Sequence, residues 1–155
     1  MFGKKKAAGN TVLLLDIESG SIASALIDMS GTEPRILSYQ RQHMPLAQNR
    51  SAVEMTRSLE QYLDHTLRHV AEVAARMRIH APLQSKGEIS RAIIFLAAPW
   101  GMPNLNAKTP QYMPGIRQYV KEGIEAAFGT VAVSFYTSAD ALVFGSQTIG
   151  KHADT

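Results

Sequence analysis

Residues 11–16 have the sequence Thr-Val-Leu-Leu-Leu-Asp, an unbroken apolar run that ends in an acid. A run of this length is too short for a helix and is typical of a strand that is covered on both faces. We therefore predict a central strand of a sheet here. The polar residues Glu18, Ser19, Gly20 and Ser21 follow, so we expect the chain to reverse direction at this point.

Two more strands are predicted after this turn. Residues 22–29 contain several apolar residues, and residues 36–43 alternate apolar and polar side chains. Between them, residues 30–34 have the sequence Ser-Gly-Thr-Glu-Pro. This composition indicates a turn, because Gly permits positive φ and Pro presets the segment that follows. The three strands together predict an antiparallel meander.

A long helix is predicted next. Ser51 and Glu54 have the spacing of a capping box, in which two side chains bond the free backbone N–H groups at a helix start. Apolar residues then recur at three- and four-residue spacing as far as residue 79. The pattern predicts a helix over residues 52–79 that packs one apolar face on the sheet.

The remaining chain alternates strand and helix. Residues 92–98 predict a second buried strand, and residues 104–113 predict an irregular segment. Pro114 suits the first turn of a second helix whose end is marked by Gly129. Residues 131–135 predict the last strand.

The predicted order is thus strand, strand, strand, helix, strand, helix, strand. A three-stranded antiparallel meander extended by parallel strands, with helices packed on the sheet, is the α/β arrangement of the ribonuclease H-like sheet, which actin-like ATPases share. We predict a single lobe of this kind over residues 11–145. We expect a flexible basic tail at residues 1–10 and a second flexible tail at residues 146–155.

Composition narrows the classes of function. The chain has 155 residues, of which 45% are apolar, and a formal charge of +3. Three lysines, residues 4–6, lie in the predicted tail, and the remaining 13 basic residues equal the 13 acidic ones, so no nucleic-acid surface is expected. Cysteine is absent, which excludes disulfides and thiolate metal sites. Every apolar run is far shorter than the roughly 20 residues that span a bilayer, so we expect a cytoplasmic protein.

The candidate site lies at the first turn. Asp16 closes a buried strand, and Ser19, Gly20 and Ser21 supply hydroxyls and unhindered backbone N–H groups. Small residues let such donors approach a phosphate chain, and a nearby acid can orient metal-bound water. A phosphate-binding turn is therefore one interpretation. An ordinary hairpin that uses the same residue types is the other.

Two stretches resemble a known family. Residues 12–26, Val-Leu-Leu-Leu-Asp-Ile-Glu-Ser-Gly-Ser-Ile-Ala-Ser-Ala-Leu, resemble the first phosphate motif of the bacterial actin-like proteins FtsA (cell division) and PilM (type IV pilus assembly). Residues 94–100, Ile-Phe-Leu-Ala-Ala-Pro-Trp, resemble a later strand of the same family. The resemblance implies that Asp16 faces a Mg²⁺ ion and the phosphates of ATP and that Ser21 contacts the phosphate chain.

The chain departs from the family pattern at two positions. Glu18 stands where the family usually has Gly, and Ala23 stands where it often has Lys. A carboxylate in the cradle repels phosphate, and the missing Lys removes a compensating charge, so we expect Mg-ATP binding to be weak or absent. No second Asp-Gly phosphate turn follows Thr130. Hydrolysis needs phosphates held from both sides, so we expect no ATP hydrolysis by this chain.

These expectations favour an assembly or scaffold protein of the FtsA/PilM type. Its partners would be proteins, including copies of itself, and it would meet membranes only through those partners. A ribonuclease H-like metal-dependent nuclease is the first alternative, with Asp16, Glu18, Asp28 and Asp140 as its acids. Against it, the later central strand ends in Ala97-Ala98-Pro99 where such nucleases carry their second acid. A pure protein-interaction module is the second alternative.

Two other constellations have simpler interpretations. His65 and His69 are spaced to share a metal, with Glu72 one turn further along, yet they fit a solvated polar helix face better. Trp100 and Tyr112, among several prolines, are candidates for a partner surface. A loop packed under one aromatic residue is the outcome we expect there.

Overall fold

A computed structural model describes residues 10–45, 50–80, 88–104 and 109–138. Within these ranges it contains seven strands and two helices. In chain order they are β1 (Thr11–Ile17), β2 (Ser21–Asp28), β3 (Arg35–His43), α1 (Ala52–His80), β4 (Ile89–Leu96), β5 (Gly101–Met102), β6 (Gln111–Tyr112), α2 (Ile116–Phe128) and β7 (Ala132–Thr137).

The main sheet has five strands in the order β3-β2-β1-β4-β7. The first three strands pair antiparallel, and β4 and β7 add in parallel on the other side of β1. This is the predicted meander with its parallel extension, so the α/β ribonuclease H-like class is confirmed. β1 lies in the middle of the sheet, between β2 and β4. Its residues are all buried or half-buried, as expected for a strand with an unbroken apolar run.

Both helices pack on one face of the sheet. On β1 this face carries Leu13, Leu15 and Ile17, which are fully buried. They form one core with apolar residues of the neighbouring strands and of both helices, which include Ile22, Leu26, Leu59, Leu63, Leu67, Val70, Ala92, Ile94, Leu96, Ile116, Val120 and Ile124. The recurrence of apolar residues along α1 at helical spacing is therefore the stripe that faces the sheet.

The opposite face of the sheet, here called the far face, is built from the alternate residues of each strand. Strand register arranges these residues in rows across the sheet. One row contains Tyr39, Ala25, Leu14, Ile93 and Ser134, and the next contains Arg41, Ala23, Asp16, Phe95 and Tyr136. The second of these rows crosses the candidate site.

The start of α1 agrees with the prediction. The Glu54 carboxylate accepts a hydrogen bond from the Ser51 backbone N–H at 2.9 Å, and the Ser51 hydroxyl accepts one from the Glu54 N–H at 3.3 Å. The start of α2 does not agree, because Gly115 has φ of 80° and the helix begins only at Ile116. Pro114 thus lies in the turn before the helix, and Gly129 ends it as expected.

The predicted irregular segment at residues 104–113 is partly wrong. Gln111–Tyr112 pairs with Gly101–Met102 in a small antiparallel ribbon. Two-residue strands carry no periodicity, so no sequence pattern indicates them. Gly101 fits there because an added Cβ would come within 3.0 Å of the Leu96 Cβ.

The structure leaves several predictions untested. Residues 1–9 and 139–155, which include most of both predicted tails, lie outside the described residues. Among the helices described, neither is long and apolar enough to cross a membrane.

Candidate functional site at the first hairpin

The predicted turn connects β1 to β2 as a tight hairpin. The Glu18 backbone N–H donates to the Ser21 carbonyl at 2.9 Å, which leaves Ser19 and Gly20 at the tip. Ser19 is exposed, Gly20 is half-buried and Ser21 is buried. The Gly20 carbonyl accepts a hydrogen bond from the Met44 N–H at 2.9 Å, so the residue that follows β3 holds the tip of the hairpin.

Strand register brings a cation to the acid at the end of β1. Asp16 pairs with Ala23 on β2, and Ala23 pairs with Arg41 on β3. Asp16 and Arg41 are therefore two strands apart, about 9.5 Å at strand spacing, which the long arginine side chain spans. The small, buried Ala23 between them leaves the path over β2 clear.

The Arg41 guanidinium binds three side chains of the hairpin. It contacts the Asp16 carboxylate at 3.1 Å, donates to the Ser21 hydroxyl at 2.7 Å and lies 3.4 Å from the Glu18 carboxylate. The Ser21 hydroxyl in turn donates to Glu18 at 3.0 Å. Hydrogen bonds to the Tyr39 hydroxyl and then to Asp16 raise the pKa of Arg41 above its ordinary value, so the cation is permanent.

The backbone of the turn has a third anchor. Trp100 follows β4 and is almost completely buried, and its indole N–H donates to the Glu18 carbonyl at 3.2 Å. The Ala97 N–H donates to the Ile17 carbonyl at 2.9 Å just beside it. The turn is therefore held to the end of β4 by one main-chain hydrogen bond and by one hydrogen bond from the indole of Trp100. Burial of Trp100 agrees with the expected packed loop and not with a partner surface.

The donor set can be compared with the needs of Mg-ATP. Mg²⁺ takes oxygen ligands at octahedral positions, and Asp16 supplies a carboxylate that is already paired with Arg41. A phosphate at the tip would approach the Glu18 carboxylate, whose side chain is 47% exposed. In this arrangement the hairpin acids match a guanidinium better than a metal with its phosphates. The prediction that Asp16, Ser19, Gly20 and Ser21 bind a nucleotide stays a prediction.

Sequence reasoning missed Arg41. Residues 16, 23 and 41 fall in one row only through the register of two strand pairs, which includes a bulge between Leu26 and Ile27. Nothing in the composition of 36–43 marks that arginine as different from other surface arginines. The cation beside Asp16 comes from β3, two strands away in the sheet.

The nuclease arrangement is not favoured. Asp28 pairs with Thr11 at the other end of β1, about 17 Å along the strand from Asp16, and Asp140 lies outside the described residues. Among the described residues, no three histidines or acids are grouped to hold a metal ion. His65 and His69 lie on α1, where His65 is exposed and His69 is half-buried.

Some solved structures are similar to this chain at low identity. An exopolyphosphatase from Cytophaga hutchinsonii is 11% identical, with 83% of this chain and 35% of that chain covered and a TM-score of 0.43. For a Ppx/GppA phosphatase of Aquifex aeolicus, the identity is 15%, the coverage 83% and 36%, and the TM-score 0.43. Thermus thermophilus RuvC is 12% identical, with 82% of this chain and 63% of that chain covered and a TM-score of 0.41.

This chain thus spans about a third of the length of the two phosphatases and 63% of RuvC. No protein-family model and no curated protein matches it. At these identities and TM-scores the likeness carries no argument about function. The order and register of the sheet carry the fold assignment.

Proposed function

We propose that this chain is an assembly domain of the actin-like superfamily, of the type represented by FtsA and PilM, and that it docks other proteins without hydrolysing ATP. The observation that carries the proposal is the pairing of Arg41 with Asp16 and Glu18. The Asp16 carboxylate, which the family resemblance would turn toward metal and phosphates, is here bound by Arg41, and Arg41 joins β3 to β1 through Asp16 and to β2 through Ser21.

The contacts of the turn support a structural role for these residues. Arg41 on β3, Trp100 after β4 and the Met44 N–H each hold a different group of the same hairpin. A ligand that inserted between Arg41 and Asp16 would have to break a charge-assisted hydrogen bond before making its own. The proposed partners are proteins, including copies of this chain, and contact with membranes is indirect.

Titration calorimetry with Mg-ATP tests the proposal. We expect no saturable heat at millimolar nucleotide, for the wild type and for Asp16→Asn alike. The matched control is Asp64→Asn, the same change at an exposed position of α1 outside the turn. A micromolar Kd for Mg-ATP that is lost in Asp16→Asn and kept in Asp64→Asn would refute the part of the proposal that gives Asp16 a structural role instead of a nucleotide ligand.

The nuclease alternative has its own measurement. Incubation with branched or hybrid nucleic acid and Mg²⁺ or Mn²⁺ is expected to leave the substrate uncut. Cleavage that disappears in Asp16→Asn would assign the hairpin acids to metal chemistry instead.

A further inference from the structure

The apolar side chains of the far face differ in their exposure to water from one side of the sheet to the other. On β1 and β4, Val12 is 6% exposed, and Leu14 and Ile93 are half-buried. On β3, Ile36 is 71% exposed and Tyr39 is 61% exposed. The β3 side of this face is therefore open to water, whereas the β1 and β4 side is largely shielded from it.

Position at a sheet edge does not explain this difference. Among the described residues, β3 and β7 are both edge strands, yet Tyr136 on the far face of β7 is half-buried whereas Tyr39 is exposed. The Phe95 ring lies 5.8 Å from the Tyr136 ring and covers only one side of it. Both described helices pack on the other face of the sheet. The burial on the β7 side therefore points to a cover that the described elements do not supply.

The sequence after β7 contains suitable side chains for this cover. Residues 139–144 are Ala-Asp-Ala-Leu-Val-Phe, with three large apolar residues in a row. The other segments outside the described residues offer less. Residues 46–49, 81–87 and 105–108 each contain a single large apolar residue, and residues 1–9 contain three lysines. Residues 139–144 are therefore the segment of this chain whose own apolar side chains most need a covering surface.

The chain also leaves β7 in a suitable way. Ser138, directly after β7, is helical, and its buried hydroxyl has no hydrogen-bond partner among the described residues. Residues 139–144 contain no glycine or proline, and Gly145 follows, so a helix of about two turns is expected. Such a helix is about 10 Å long and about 10 Å wide. It can cover β7, β4 and β1, since β1 is about 9.5 Å from β7, but not β3, about 19 Å away.

We propose that residues 139–144 form a short helix that covers the far face over β7, β4 and β1, with their apolar side chains packed on Ile93 and Phe95. This part of the face is then closed to partner proteins, and the β3 part stays open. The proposal does not rest on the assembly function. It rests on the uneven burial of the far face and on the sequence that follows β7.

Proton contacts in the unaltered protein test the proposal. Nuclear Overhauser effects would be recorded in protein with labelled isoleucine, leucine and valine methyl groups and labelled phenylalanine rings. We expect cross-peaks from the Ile93 methyl group to Leu142 or Phe144, and none from Ile36 to either residue. If residues 139–144 gave cross-peaks only to α1 and α2, or to no residue of the sheet, the proposal would be wrong.

Thiol labelling gives an independent measurement, because the chain contains no cysteine. A thiol reagent should modify Ile93→Cys at least about tenfold more slowly than Tyr39→Cys, since the cover must open before the reagent reaches position 93. Addition of Leu142→Asp together with Phe144→Asp should remove this protection, because two charges replace the apolar contacts.

The matched control is Ser146→Asp together with Thr148→Asp, which adds the same charge at polar positions of the same segment and should keep the protection. Equal labelling rates at positions 93 and 39 would overturn the proposal. Protection that the first aspartate pair leaves intact in a folded chain would do the same. Protection that disappears on dilution would assign the cover to a second copy instead. Mg-ATP binding would contradict the assembly proposal alone.

Discussion

Removal of the Arg41 guanidinium should loosen the three strands that it joins. Arg41→Gln keeps a polar side chain of intermediate length but lacks the charge, so the Asp16 carboxylate loses its partner. Asp16→Asn and the double variant complete a thermodynamic cycle. The cycle isolates the coupling free energy between the two side chains from whatever each substitution does alone.

The expected coupling follows from geometry and exposure. At 3.1 Å the Coulomb energy of the pair is about 5 kcal/mol at an effective dielectric constant near 20, before the cost of desolvation. The side chains are 31% and 26% exposed, so water screens much of this and the desolvation cost offsets more. We expect a coupling of about 1 kcal/mol, above that of a typical exposed pair. The single Arg41→Gln variant should lose about 1–3 kcal/mol, because the hydrogen bond to Ser21 is lost as well.

The chain contains its own reporter for this experiment. Trp100 is the single tryptophan, and its indole bonds the Glu18 carbonyl, so its fluorescence senses the hairpin directly. Urea unfolding would be followed by this signal and by far-ultraviolet circular dichroism for each variant. Coincident transitions would justify a two-state free energy of unfolding.

A matched pair within the same network provides the control. Glu18 is 3.4 Å from Arg41 but 47% exposed, so the Glu18→Gln cycle should give a coupling below about 0.5 kcal/mol. Molar salt should reduce both couplings. A coupling of zero between Asp16 and Arg41, or one larger for Glu18 than for Asp16, would refute the view that Arg41 neutralises the acid of β1.

Three further variants test other parts of the structure. Trp100→Phe leaves the Glu18 carbonyl without its donor and should lower the free energy of unfolding by about 1–3 kcal/mol in urea. Ala23→Leu puts a branched side chain under the path of Arg41 and should cost about 1–3 kcal/mol, with a smaller effect when Arg41 is already Gln. Glu54→Gln tests the pH dependence of stability. The hydrogen bond from the Ser51 backbone N–H lowers the pKa of Glu54. The stability that the Glu54 carboxylate contributes is therefore fully present above the ordinary pKa of 4.5 and is lost as the pH falls through the lowered pKa. The difference in Tm between wild type and Glu54→Gln should therefore shrink on acidification, and a difference that grows would contradict this sign.

The sheet could be predicted from sequence because each of its strands has a local cause. The apolar run at 11–16, the polar turn after it and the alternation at 36–43 predict the meander, and the structure pairs these strands within a residue or two of the predicted limits. The start of α1 could also be predicted from neighbouring residues, because a capping box needs only two residues three positions apart. The pair β5 and β6 was not predictable, because two-residue strands are set by tertiary packing around Gly101.

The candidate site was predictable only in part. The location of Asp16 and Ser21 at one hairpin follows from the order of residues along a strand and its turn. Whether the Asp16 carboxylate is paired depends on Arg41, which is 25 residues away from Asp16 in the chain. A contact at this separation requires the exact register of two strand pairs, and the bulge between Leu26 and Ile27 shifts the register of β2 against β3. Local patterns carry no information on such a shift.

One arrangement of charges connects Glu18, Ala23 and Arg41. A lysine at position 23 would point to the same far-face row as Arg41 and compete with it for Asp16. With alanine there, the cation comes from the edge strand, and Glu18 can be tolerated because the same guanidinium lies 3.4 Å away. A glycine at 18 would remove an acid that Ser21 and Arg41 both contact. The two carboxylates of the turn thus share one guanidinium, which comes from β3 and holds the meander together.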